Sequence, residues 1–412
     1  MTKVVHIQFS VDSAGRAALR LQKALGSVNV SSHIVSLQYS TLVSSNIKFL
    51  GPKARFISKI DNRIQDYLTR KRVKEMGSFS YPVLGTDVSG LDEVKNADII
   101  YIHWVLNGFF NYNSIKQVAR LNKPVIIFLH DMWGITGGCH HSFTCEKYKT
   151  TGCNNCPVFP GDKINDLSAK GFKKKLKLYT KYKNLFFVSP SRWLYNCTKE
   201  SLLSKHRPVF HIPNIIDTTL FKPVNKAAAK QILNIDAAET VITFGAVTVN
   251  SPYKGWVYLL KALELLKQDN SLSNVTVLIF GSGYNKEIAD VLPFKTRFMG
   301  FLSDEYSISL VYNASDVFIV PSVADNLPTT VLECLSCGTP VVGFNVGGIP
   351  DMISHRENGY LANYKDAADI TNGILYCINN KIKGAIRPEF QPEVIVQKHL
   401  ELYEKIKEFQ PG

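Results

Sequence analysis

Two carboxylates eight residues apart, Asp325 and Glu333, sit in the most informative stretch of the chain, PSVADNLPTTVLECLSCGTPVVGFNVGGIPD from Pro321 to Asp351. An apolar run ends at Pro321, a polar loop follows over Ser322–Asn326, and a helix is predicted after it, with Asn326 as N-cap and Pro328 in the first turn. The start of a helix just past a parallel strand gathers anions, because free backbone N–H groups and the helix dipole point at the ligand. On this reading the backbone of Leu327, Thr329 and Thr330 meets a diphosphate. Glu333, on the second turn, reaches a ribose diol, and Asp325 hydrogen-bonds sugar hydroxyls. The pair would hold opposite ends of one sugar nucleotide.

Other chemistry-bearing residues end apolar runs elsewhere. His103 closes IIYIHW and His130 closes IIFLHDMW, where Asp131 is placed to orient the imidazole or to serve an acceptor. Either histidine also reads as the plain cap of a buried strand end. The turn Gly281–Ser282–Gly283 lets a backbone approach a ligand closely. Cys139, Cys145, Cys153 and Cys156 fall within a short Gly-rich loop, the last two as Cys-x-x-Cys. Thiolates so spaced close tetrahedrally on a structural zinc, with His140 and His141 as alternative ligands. Reduced thiols in a packed loop, or a disulfide, are the other readings.

The elements that must position these groups alternate along the whole chain. Val4–Gln8, His33–Leu37, Asp98–Trp104, Pro124–Leu129 and Leu185–Val188 read as buried strands with helical patterns between them, and the rhythm resumes at Val241–Gly245, Val275–Phe280, Asp316–Val320 and Pro340–Val342. Unalternating apolar strands separated by helices mean parallel sheets covered on both faces. A chain of 412 residues is too long for one core. The expected fold is therefore α/β, two Rossmann-like doubly wound parallel-sheet domains facing a cleft. An N-terminal domain is expected over 1–213, with a Cys-rich insert at about 134–160. A nucleotide-binding domain follows over 214–390, and a C-terminal helix over 391–412 packs back on the first domain. The break is placed at Pro213–Asn214, inside the Pro-marked segment HIPNIIDTTLFKP.

A formal net charge of +14 suits nucleic acid, an anionic membrane face or phosphorylated substrates. Basic residues cluster at 48–74, interleaved with Phe49, Phe56, Ile57, Ile60, Ile64 and Leu68, which reads as an amphipathic helix with a cationic face. A second cluster runs from Lys170 to Lys183 and includes Lys175. No nucleic-acid motif accompanies the charge, so that partner is set aside. MTKVVHIQFS enters a strand with no signal-peptide pattern, and no apolar run is long enough to span a bilayer. A cytoplasmic protein is expected, docked peripherally at the inner face of the membrane.

The Pro321–Asp351 stretch resembles retaining glycosyltransferases of family four, with the GT-B fold. The signature is an acidic residue, seven residues, Glu, then Gly-x-Pro-Val-Val and Gly-Gly-x-Pro-Glu/Asp, here Asp325, Glu333, Gly338, Pro340–Val342 and Gly347–Asp351. The family most often has Glu where this chain has Asp325, and an Arg that is missing after Gly245. The resemblance implies that Lys254, followed by Gly255, reaches the donor diphosphate, and that Phe301–Leu302 packs on the nucleobase. It implies that Gly15 allows close approach in the first domain and that His130 lies near the transferred sugar. The Cys-rich segment is similar to that of a subgroup of bacterial polysaccharide transferases.

Transfer from a UDP- or GDP-sugar to a saccharide or lipid-diphosphate-linked acceptor is then expected, with retention. No Asp-x-Asp pair lies in a donor loop, so no catalytic metal is expected. A sugar-nucleotide epimerase of the same fold and a catalytically silent zinc-knuckle scaffold are the alternatives. A dehydrogenase is disfavoured because the first strand is not followed by Gly-x-Gly-x-x-Gly.

Overall fold

The computed structural model describes residues 1–12, 15–42, 44–161, 164–245, 252–281 and 285–408. The chain forms two compact units, Met1–Ile215 together with Glu393–Gly412, and Ile216–Pro392. The division falls two residues beyond the break read from the sequence.

Seven strands build the first unit: β1 (Lys3–Gln8), β2 (Ser31–Ser36), β3 (Ile47–Phe49), β4 (Ile99–Ile102), β5 (Val125–Phe128), β6 (Leu185–Ser189) and β7 (Val209–His211). They lie in the order β3-β2-β1-β4-β5-β6-β7. The second unit has β8 (Thr240–Gly245), β9 (Val275–Phe280), β10 (Lys295–Gly300), β11 (Val317–Val320), β12 (Val341–Phe344) and β13 (Gly359–Ala362), in the order β10-β9-β8-β11-β12-β13. The ladders of both sheets are parallel. The expected α/β class with two doubly wound sheets is thus the fold observed. Strands β3, β7 and β13 escaped the sequence reading: IKF and VFH are too short to show a pattern, and GYLA lacks the β-branched run that marks its four-residue neighbours.

In each sheet the strand order reverses once, between β1 and β4 and between β8 and β11. At such a point adjacent strands send their following loops apart, which opens a crevice at their carboxyl ends. Lys254 and Asp325 follow the two strands that flank the reversal of the second unit, and Gly15 and His103 those that flank the reversal of the first.

The helix Pro392–Glu408 covers one face of the first sheet. Its Ile395, Leu402, Tyr403 and Ile406 join a core with Val4, Tyr101, Ile126 and Phe128. Tyr101 Oη meets His399 Nδ1 at 2.9 Å and donates to Tyr403 Oη at 3.2 Å.

The helix in the first basic segment runs over Pro52–Thr69, not 48–74; Lys48 and Phe49 belong to β3, and Lys48 pairs with Glu93 at 2.8 Å. Its buried stripe is Ala54, Ser58, Asp61, Gln65 and Thr69, small and polar throughout. Asp61 accepts from the amides of Val83 (2.9 Å) and Leu84 (2.6 Å), and Gln65 accepts from Tyr81 N (2.9 Å). Ser58 donates to Asn107 O at 2.7 Å. The polar face is buried because it satisfies loop backbone that no strand pairs. Phe56 (64 % exposed) and Tyr67 (63 %) therefore face solvent beside Lys53, Lys59, Arg63 and Arg70.

Lys175, counted in the second basic cluster, is fully buried in the helix Leu167–Lys181. Its ammonium donates to Trp133 O and Thr136 O and lies 3.7 Å from the centre of the Trp133 ring. Burial pulls its pKa down to about 7.

Candidate functional site

In the second unit Lys254 follows β8 and Asp325 follows β11, so the two lie on either side of the reversal. Lys254 Nζ and Asp325 Oδ2 form an ion pair at 2.9 Å, with the side chains 29 % and 16 % exposed. Ser322 Oγ donates to the same carboxylate oxygen at 3.3 Å. Burial works against the Lys254 charge, but the charge and hydrogen bond of Asp325 outweigh it and hold the ammonium above the ordinary lysine value.

Two glycines make this packing possible. Gly255 has φ +68°, and a Cβ there would stand 1.8 Å from Pro321 O at the end of β11. Gly347 has φ +59°, and its Cβ would stand 2.0 Å from Asp325 O, which Gly348 N reaches at 3.2 Å. Any side chain at either position drives a loop off the site.

The following helix is Thr329–Ser336, with Pro328 at the N-cap and no side-chain cap bond. Asn326 was expected to cap it. Instead the proline, with φ −63° and extended ψ, ends the loop, and Val331 N turns back to Pro328 O at 3.0 Å. Asn326 and Leu327 are buried below, while Thr329 and Thr330 stand partly exposed at the first turn. Glu333 is buried on the next turn, where Tyr312 Oη donates to its Oε2 at 3.1 Å. Sequence reasoning missed Tyr312, which looks like any aromatic of a packed helix, and Ser322.

Gly245 ends β8 and Gly281 follows β9, its amide bonded to Gly300 O at 2.8 Å. Gly283 lies outside the described residues. Phe301 and Leu302 part company: Phe301 is 59 % exposed, while Leu302 packs on the unit's core.

In the first unit Gly15 stands at the N-cap of the helix Arg16–Gly26, after β1. His103 and His130 follow β4 and β5 and are joined: His103 Nδ1 lies 3.0 Å from His130 Nε2. His103 Nε2 in turn meets His6 Nδ1 at 2.9 Å, and His6 Nε2 meets Ser32 Oγ at 3.1 Å. Burial lowers all three rings, His6 to about 3, His130 to about 4 and His103 well below its ordinary value, so they are neutral at pH 7. His6 and Ser32 carry no signal in the sequence.

Asp131 does not orient His130. Its Oδ2 takes His140 Nδ1 at 2.7 Å and Trp104 Nε1 at 3.1 Å, and its Oδ1 takes the Trp133 amide at 2.8 Å. His140 Nε2 continues to Ser80 Oγ at 2.9 Å. Burial would raise the Asp131 carboxyl, but His140 and the amide prevail and hold it at about 2.

The zinc knuckle read from the spacing finds no ligand set among the described residues. Among the described residues no three metal-ligating side chains come together, and Cys139, Cys145, Cys153 and Cys156 are free thiols. The neighbouring Cys156 thiol and burial hold the Cys139 thiol well above its ordinary pKa. Cys153 Sγ instead accepts from Gly137 N at 3.3 Å. Cys139 and Cys156 pack with Phe79, Tyr81 and Val158 in a small core of their own, as apolar groups do.

With this geometry in hand, residues 238–380 match the family described as Glycosyl transferases group 1, a segment spanning β8 to the helix Ala367–Asn379. The chain is 36 % identical over 157 residues to a D-inositol 3-phosphate glycosyltransferase of Rhodococcus jostii, covering 35 % of this chain and 34 % of that one. It is 26 % identical over 240 residues to a UDP-Gal:alpha-D-GlcNAc-diphosphoundecaprenol alpha-1,3-galactosyltransferase of Escherichia coli, covering 54 % and 60 %. The chain spans about half or less of the first relatives it matches, 46 % and 34 %. Among solved structures, Anabaena Alr3699/HepE in complex with UDP and glucose aligns with a TM-score of 0.62 at 16 % identity, over 98 % of this chain and 100 % of that one. Sucrose-phosphate synthase from Thermosynechococcus elongatus aligns at 0.65 and 15 %, over 98 % and 99 %. These structures share the fold.

Proposed function

We propose that this chain is a retaining glycosyltransferase that moves a sugar from a UDP- or GDP-sugar to a saccharide or lipid-diphosphate-linked acceptor in polysaccharide synthesis. The Lys254–Asp325 ion pair at the strand-order reversal of the second sheet carries the reading. A diphosphate offers Lys254 more charge than one carboxylate does, so the donor takes over the ammonium. Asp325 is then released to accept hydrogen bonds from the sugar hydroxyls. The amides of Thr329 and Thr330, at an uncapped helix start, add their donors to the diphosphate. Glu333, oriented by Tyr312, accepts from the ribose diol.

The bond from the sugar's anomeric carbon to the diphosphate oxygen breaks, and Lys254 stabilises the charge that grows on the leaving group. The acceptor hydroxyl attacks the same face, and its proton passes to a phosphate oxygen. No metal is needed for this division of labour. The first unit supplies the acceptor side, with His130 near the transferred sugar. The UDP complex of the Anabaena protein and the lipid-linked acceptor in the Escherichia coli relative's name are consistent with this chemistry. No observation favours the epimerase or the silent scaffold.

A thermal-shift series with nucleoside diphosphates and nucleotide sugars tests the reading, because a ligand of the native state raises apparent stability by mass action. One nucleotide is expected to stabilise the native chain, and Lys254→Ala and Glu333→Ala to abolish the effect. Indifference to every nucleotide at millimolar concentration sinks the proposal.

The outward face of the 52–69 helix favours a second role, peripheral docking on an anionic membrane. Exposed Phe56 and Tyr67 stand among lysines and arginines, which suits a surface both apolar and negatively charged. No described helix is long and apolar enough to cross a membrane. Flotation with anionic liposomes is expected to carry the protein at low salt and lose it at high salt; binding indifferent to salt counts against docking.

A further inference from the structure

Ser32, His6, His103 and His130 lie on or just after β2, β1, β4 and β5, four neighbours in the sheet. Their polar atoms form one unbroken row, Ser32 Oγ to His6 Nε2 (3.1 Å), His6 Nδ1 to His103 Nε2 (2.9 Å), and His103 Nδ1 to His130 Nε2 (3.0 Å). Ser32, His6 and His103 are buried, with 4 %, 0 % and 6 % exposure.

A neutral imidazole carries one N–H and one lone pair, and each hydrogen bond between two rings uses one of each. The row therefore has a single direction. Either every ring donates toward His130, or every ring donates toward Ser32, and reversing one link leaves two N–H groups or two lone pairs facing each other.

Ser32 chooses between them. Its hydroxyl has no hydrogen-bond partner other than His6 Nε2 among the described residues. If His6 donated to Ser32 Oγ, the serine's own proton would be buried with no acceptor, which native structures avoid. Ser32 must donate. His6 then donates from Nδ1, His103 donates from Nδ1, and His130 accepts at Nε2.

We infer that Ser32, His6 and His103 act as positioning residues that lock His130 in its Nδ1–H tautomer, so that it meets its ligand as a hydrogen-bond donor. The burial that keeps all three rings uncharged supports this, since an imidazolium anywhere in the row would break its direction. A donor recognises the lone pair of a sugar hydroxyl. It does not take the proton of an acceptor, and that task stays with the leaving phosphate. The ligand assignment rests on the reading of His130 as substrate-facing; the tautomer assignment does not.

Nitrogen-15 spectra of the histidine side chains in the full-length protein test the tautomer directly, with His130→Gln assigning the signal. His130 is expected to show a protonated Nδ1 and an unprotonated Nε2. The opposite pattern overturns the inference without reference to activity. Ser32→Ala is expected to move His130 toward the Nε2–H form and to lower kcat/KM about fivefold, the worth of one neutral hydrogen bond. Ser32→Thr keeps the hydroxyl and restores both, and nucleoside diphosphate affinity stays unchanged in either variant. If Ser32→Ala leaves the His130 spectrum untouched, the row does not set the tautomer. If the spectrum responds and transfer does not, the row stands and the placement of His130 at the substrate falls.

Discussion

The two units solve the same topological problem with opposite electrostatics. At its strand-order reversal the second unit holds a charged pair, Lys254 and Asp325, open enough for a ligand to exchange for one partner. The first unit holds a row of uncharged rings, buried and linked nitrogen to nitrogen. A charged pair suits a diphosphate, whose binding is governed by charge. A neutral, directional row suits hydroxyls, which are told apart by who donates and who accepts.

The sharpest way to break this contrast is Lys254→Ala. Loss of a fixed charge at a developing anion is expected to lower kcat by about 100- to 1,000-fold, with circular dichroism unchanged. A fall of less than about tenfold in a rate assay would remove charge from the account of the second unit.

Acid separates the units next. The first unit's histidines have folded pKa values below the free value of 6.5, so the unfolded chain binds protons that the native one refuses. Their stabilisation is complete above pH 6.5 and is lost as pH falls toward 4, about 3 kcal/mol for His130 alone. The second unit's lowered groups are carboxylates such as Asp316 and Glu239, whose contribution is lost only at lower pH, below their free values of 3.8 and 4.5. Three of the four tryptophans, Trp104, Trp133 and Trp193, lie in the first unit, and Trp256 lies in the second. Fluorescence of Trp256→Phe should therefore report unfolding between pH 6.5 and 4, ahead of the circular-dichroism change of the second unit. Coincident transitions would contradict the contrast.

Much of the second site was legible because it is nearly contiguous: loop, helix and glycine turn fall between Pro321 and Asp351, and one strand pattern brings Lys254 beside them. The first site is assembled from four adjacent strands, and Ser32 and His6 look like ordinary strand residues until the sheet sets them side by side. Nor does any pattern in the sequence mark which polar residues of the first basic segment turn inward. The 52–69 helix buries Asp61 and Gln65 because unpaired loop amides need acceptors. Spacing alone suggested zinc, whereas Cys139 and Cys156 pack in a small apolar core.

Glu333→Gln gives a smaller effect than either test above. It keeps the shape but not the charge, and donor affinity measured by calorimetry is expected to fall about 10- to 100-fold, against about fivefold for Tyr312→Phe. Equal effects would make Tyr312 a partner in binding rather than a support for Glu333.

The smallest expected change is on the 52–69 helix. Lys59→Ala and Arg63→Ala are each expected to weaken partition onto anionic vesicles about fivefold, close to 1 kcal/mol per basic residue. Transfer to a soluble acceptor should not change, because neither residue touches either site.

The covering of the first sheet by the helix Pro392–Glu408 also sets an order of events during synthesis. A ribosome completes the first sheet's seven strands, then makes all of Ile216–Pro392, and only then releases the helix that seals Tyr101, Ile126 and Phe128. At roughly 5–20 residues per second the open apolar face waits some 10–35 s. The second unit is continuous in the chain and can fold in that interval. The later-made half is thus able to reach its native state first, and the earlier-made half is the one exposed to chaperones.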